Sequence, residues 1–102
     1  MKLPEDEKNV LRRLIIENVE AISVLTRDLA ELRAMDGDKS IMITCWEELR
    51  ASHEAWLDSL LRRIAGMKVV DGKLVAGVVT EEQYVIVRPL ILDGSYFTQG
   101  SA

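Results

Sequence analysis

Two stretches of this chain place apolar residues at alternating spacings of four and three, and that repeat constrains the fold more than any other feature. In the first stretch the positions are Leu11, Ile15, Asn18, Ile22, Leu25, Leu29 and Leu32. In the second they are Trp46, Leu49, His53, Trp56, Leu60 and Ile64. A spacing near 3.5 brings all these side chains to one seam of a helix, the pattern of a coiled-coil partner. Pro4 suits the first helical position, and Glu5, Asp6 and Glu7 suit the positive end of the helix dipole. Asp36-Gly37-Asp38 stops the first helix, with Gly37 as the left-handed cap residue.

The second helix carries a start signal at Thr44-Cys45-Trp46-Glu47, which fits a capping box. Ser40 is a rival cap, leaving residues 41–43 as an extended entry or a first turn. Gly66 ends the helix. The short link around Gly37 makes the two helices antiparallel neighbours.

Beyond Gly66 the pattern changes. Met67-Lys68-Val69-Val70, then Asp71-Gly72, then residues 73–79 read as a β-hairpin, because Asp-Gly supplies the positive φ angles of a tight turn. Residues 83–92 form a third β-rich run after Thr80-Glu81-Glu82. Pro89 cannot donate to a strand ladder, so this run is expected at a sheet edge or with a bulge. Asp93-Gly94 would turn the chain into a last short strand, 95–98, with the 99–102 tail frayed. The expected class is therefore α+β in a single domain, 1–102. A long antiparallel helical hairpin (about 4–66) precedes a small antiparallel β-meander of three to four strands (about 67–98).

Size then bears on assembly. A first helix of about 30 residues would measure roughly 45 Å, whereas a compact globule of this length has a radius of gyration of about 13 Å. The hairpin must project or lie along something else. On a helical wheel at about 100° per residue, the apolar arc of the first helix runs roughly 180°, from Val10 and Ala21 round to Val19. That of the second runs roughly 160°, from Cys45 and Trp56 round to Leu61. A two-helix contact covers only part of such arcs. Self-association through the hairpins, most simply as a dimeric four-helix bundle, is the favoured expectation. Its interface would use Leu11, Ile15, Asn18, Ile22, Leu25, Trp46, His53, Trp56 and Leu60.

Composition narrows the chemistry. The 102 residues carry a net charge of -4, which argues against a general nucleic-acid binder or an anionic membrane surface as partner. No apolar run approaches the roughly 20 residues needed to span a bilayer. The single cysteine and single histidine exclude an intrachain disulfide, a multi-Cys zinc site and His-pair metal chemistry. Asp36-Gly37-Asp38 lacks the spacing and closing glutamate of a calcium loop, and no Walker A or GxGxxG loop is present. No cofactor is expected, and a cytoplasmic protein is.

The residues that could carry chemistry each have a plainer role as well. Cys45 at a helix start is a reactive nucleophile or a small buried apolar residue beside Trp46. His53 is a pH-sensing or catalytic group, or a core or interface residue with one hydrogen-bonded partner. Asn18 on the seam fixes register and oligomer state, or simply faces solvent. Trp46 and Trp56 form a stacking platform, or serve as core or dimer-interface anchors.

Arg12, Arg13, Arg62 and Arg63 are the least ordinary group. If the link centres near residue 38, residues whose numbers sum to about 76 stand side by side in an antiparallel pair. Both arginine pairs then lie at the open end of the hairpin, near Lys8, Lys68 and Lys73. Guanidinium groups there could hold a phosphate or a partner carboxylate in bidentate fashion. Alternatively they form surface ion pairs with Glu5, Asp6, Glu7, Glu17 and Asp58.

The favoured function is a non-enzymatic protein-protein interaction module of the adaptor, assembly-chaperone or inhibitor type, a viral or accessory inhibitor included. It would self-associate and offer a strand edge or apolar face to an unidentified protein partner. One alternative is a winged-helix-like DNA-binding or regulatory domain, with residues 44–66 as two short helices broken near Ser52-His53. Another is an oligomeric small-anion or nucleotide-binding protein using the arginine cluster.

Overall fold

The computed structural model describes residues 5–97; Pro4, Thr98 and the 99–102 tail lie outside the described residues. Helix α1 spans Glu5–Ala34 and helix α2 spans Ser40–Gly66. They pack as the long antiparallel hairpin that the 4-3 spacing predicts. Ile15, Leu29 and Leu32 are buried on α1, and Leu57, Leu60, Leu61 and Ile64 on α2. Gly37 takes φ +93, the left-handed conformation that closes the link. The principal extents are 59 × 23 × 20 Å and the radius of gyration is 17.1 Å. The hairpin thus projects well beyond a compact globule of the same length.

The Thr44–Glu47 capping box is not used. α2 starts four residues earlier, at Ser40, where the Asp38 carboxylate accepts the Ser40 N–H at 3.0 Å. Hydrogen bonding from the Ser40 side chain, then from its backbone N–H, holds the Asp38 carboxyl below its ordinary range. Residues 41–43 are therefore helical, and Glu47 instead reaches across to Arg33 at 3.3 Å. α2 runs unbroken through Ser52 and His53, so the two short helices of a winged-helix arrangement do not form.

The β-rich C-terminal third folds differently from the expected meander. The hairpin is present, with β1 (Lys68–Val70) antiparallel to β2 (Lys73–Val75) and Val69 opposite Leu74. Asp71 (φ 51) and Gly72 (φ 76) supply its tight turn. β2 stops at Val75, and residues 76–79 bring Gly77 against Gly66, where a Cβ on either glycine would meet the other's carbonyl oxygen. The expected third strand is a helix, α3 (Glu81–Leu92). The expected fourth is a 3₁₀ turn, Ser95–Phe97. Among the described residues the sheet has two strands, not three or four, and the chain is mostly helical.

Helix wins over strand at 81–92 for two reasons. Thr80 and Gln83 form a reciprocal capping box, each side chain bonding the other's backbone N–H at 3.2 Å, and Glu81 and Glu82 favour the dipole of the first turn. The helical period then turns Tyr84, Val87 and Ile91 towards the core. Pro89 removes one intrahelical bond, an effect of about 3 kcal/mol in a helix interior. Burying two side chains as large as Tyr84 and Ile91 contributes about 1.5–3 kcal/mol each, enough to offset it. Asp93-Gly94 then ends α3, with Gly94 at φ +87 and the Asp93 carboxylate accepting the Ser95 N–H at 2.8 Å.

The core lies at the base of the hairpin. Ile15, Leu57, Leu60, Leu61 and Ile64 pack there with Tyr84, Ile91, Tyr96 and Phe97. Tyr96 donates to the Ile64 carbonyl at 3.3 Å, and its ring meets Phe97 edge to face. α3 and the 3₁₀ turn thus cover one side of the hairpin at its base.

Candidate interaction face

Among the described residues, the other side of the hairpin is open. α3 lies against the flank of α1 that carries Arg12, Ile16 and Val19 and the flank of α2 that carries Glu54 and Asp58. The opposite flanks enclose a groove of about 470 Å³ lined by Leu14, Glu17, Asn18, Leu49, Ser52, His53 and Trp56. It continues towards the loop along Glu20, Ala21, Val24 and Leu25. Trp56 is 54% exposed and Leu49 48%, although both occupy the seam spacing. Nearer the loop, Met35, Ile41 and Met42 are also exposed, Ile41 at 80%.

One polar pair interrupts this surface. Asn18 donates its amide N–H to the Leu14 carbonyl at 2.9 Å, and its Oδ1 accepts from His53 Nδ1 at 3.4 Å in the tautomer that protonates that nitrogen. Asn18 is 7% exposed, so it is not a solvent-facing residue.

The residues named from the sequence fall in three settings. Ile15, Asn18 and Leu60 are buried within the chain; Leu11, Ile22, Leu25, Trp46 and His53 are half-buried; Trp56 is exposed. Leu14, Ala21 and Val24 also line the groove and were not among those named. They sit one flank away from the seam. The wide apolar arc was the available signal, but which flank stays open depends on where α3 packs. Cys45 is exposed rather than buried beside Trp46.

Three of the four arginines have partners within the chain. Arg62 donates Nε to Asp58 at 2.8 Å and Nη1 to Glu81 at 2.7 Å, with its guanidinium 4.1 Å from the centre of the Tyr84 ring. The Tyr84 hydroxyl donates to Asp58 at 2.7 Å. This network ties α2 to α3. Arg62, then Tyr84, holds the Asp58 carboxyl below its usual range, and Arg62 does the same for Glu81. Burial, then the Asp58 hydrogen bond, pushes the Tyr84 hydroxyl up. Arg12 lies 5.9 Å from the Phe97 ring centre and Arg13 is 3.8 Å from Glu17, so these two serve packing and local pairing. Arg63 is exposed.

Among the described residues, no helix is long and apolar enough to cross a membrane, and no cluster of His, Cys, Asp and Glu is arranged to hold a metal ion. Every buried side-chain polar atom described has a hydrogen-bond partner. Comparison with protein-family models, curated proteins and solved structures found no match.

Proposed function

We propose that this chain is a non-enzymatic protein-interaction module whose hairpin associates with a second copy of itself. The observation that carries the proposal is the open face, where Leu49 and Trp56 stay exposed at seam positions although the chain has a core of its own. A wide, largely apolar groove with a partly sequestered polar pair and an acidic rim fits a helical partner better than a small molecule. The engagement of Arg62 with Asp58, Glu81 and Tyr84 weighs against an anion site at the arginine end. A further protein partner of adaptor, chaperone or inhibitor type belongs to the same proposal, and the outer edges of β1 and β2, which pair only with each other among the described residues, offer it a strand-addition surface. So does a cytoplasmic setting, where a reducing environment preserves the exposed Cys45 thiol.

The test is fluorescence on dilution. In a Trp46→Phe variant the emission reports Trp56 alone. Association predicts a blue-shifted spectrum at high concentration that moves to the red on dilution. A red, concentration-independent spectrum would remove the proposal.

A further inference from the structure

We infer that the second copy covers the open face with both loops at the same end, α1 of each copy lying on α2 of the other. This rests on the self-association proposed above and specifies its geometry. Two independent features of the face favour it over the arrangement with loops at opposite ends, where α1 would lie on α1 and α2 on α2.

The first is the order of chemical layers along the hairpin. Asn18 and His53 form a polar layer midway along it, and Met35, Ile41 and Met42 form an exposed apolar layer at the loop. With loops together, each layer meets its own kind in the second copy. With loops opposed, matching the polar layers leaves the loop stranded. Met35 lies 17 residues from Asn18, about 25 Å at 1.5 Å per residue, whereas α1 extends only about 20 Å the other way. Sliding the copies to cover the apolar ends would instead set Asn18 and His53 against apolar residues.

The second is charge. The α1 rim of the groove carries Glu17 and Glu20, while the α2 residues lining it, Leu49, Ser52, His53 and Trp56, include no carboxylate. Loops together place each acidic rim over the partner's α2. Loops opposed would crowd four carboxylates where α1 meets α1, a repulsive juxtaposition.

The groove runs about 17 Å along α1, from Leu14 to Leu25, and Met35, Ile41 and Met42 add exposed apolar surface at the loop.

The experiment places a nitroxide label at Asp36→Cys in a Cys45→Ser background, with native mass measured on the same labelled sample. Asp36 is exposed in the loop. Pulsed dipolar spectroscopy then reads the label-to-label distance. Loops together predict a dimer with labels within about 30 Å. Loops opposed put each label about 27 Å from the Asn18 layer, so about 54 Å apart, by the helical rise. A long distance in a dimer overturns the arrangement and leaves self-association standing. A stoichiometry other than two also overturns the arrangement, and a monomer at every concentration overturns both. Ala34→Cys, exposed in the last turn of α1 and outside the apolar layer, is the second label position if Asp36→Cys perturbs the circular dichroism spectrum.

Discussion

Asn18 and His53 face each other across the hairpin, Oδ1 to Nδ1 at 3.4 Å, in a groove that is also lined by Leu14, Leu49 and Trp56 and is rimmed by Glu17 and Ser52. A polar pair on a coiled-coil seam lowers stability and fixes register and oligomer number. Asn18→Leu is therefore expected to raise the melting temperature and tighten association while broadening the mass distribution into mixed oligomers. Light scattering on the variant checks this, and a single sharp dimer would count against a register role.

The Tyr84 hydroxyl joins α3 to the Asp58–Arg62 pair of α2. Tyr84→Phe keeps the packing and removes one hydrogen bond to a charged group, so unfolding in urea should lose about 1.5 kcal/mol. The pH dependence follows from the directions of the shifts. Asp58 and Glu81 titrate below their unfolded values, so their contribution is complete above about pH 5 and is lost as pH falls through their folded pKa values. Tyr84 titrates above its unfolded value, so its contribution is complete below about pH 9 and is lost as pH rises through its folded pKa. Thermal melts across pH 2–11 should thus fall at both ends, and Tyr84→Phe should flatten the alkaline limb.

Gly66 and Gly77 approach so closely that neither tolerates a Cβ without backbone movement. Alanine favours helix over glycine by up to about 1 kcal/mol, but overpacking of this kind typically costs about 1–3 kcal/mol. Gly66→Ala should therefore be net destabilising in a denaturant titration. Gly37→Ala is the useful contrast, since nothing lies near its Cβ and only its positive φ resists, at about 1–2 kcal/mol.

Continuity of α2 through Ser52 and His53 gives a separate test. Ala51→Pro in an unbroken helix should cost about 3 kcal/mol or more and lower the helical signal. A variant with unchanged stability would point to a turn at that position.

The hairpin was legible because its 4-3 spacing runs over seven positions in α1 and six in α2, and Asp71-Gly72 was legible from turn chemistry alone. α3 was not. Val85, Ile86, Val87 and Pro89 are locally β-like, and Val85 and Ile86 face solvent, which hides the period of Tyr84, Val87 and Ile91. The signal that decides the segment was Thr80 followed three residues later by Gln83, a capping box resembling the one at Thr44–Glu47 that the structure leaves unused. Thr80→Ala should accordingly cost about 1 kcal/mol, whereas Thr44→Ala should leave stability within about 0.5 kcal/mol. Parallel denaturant titrations compare the two. The seam residues of the interaction face were readable from spacing, but its open flank was not, because α3 decides which flank is covered.

The most direct measurement is the native mass by size-exclusion chromatography with light scattering, across a concentration series of the unmodified chain and Trp56→Glu. A dimer that dissociates on dilution, with Trp56→Glu monomeric and still helical, is the predicted result. A monomer at every concentration, or a dimer indifferent to Trp56→Glu, would contradict association through the open face.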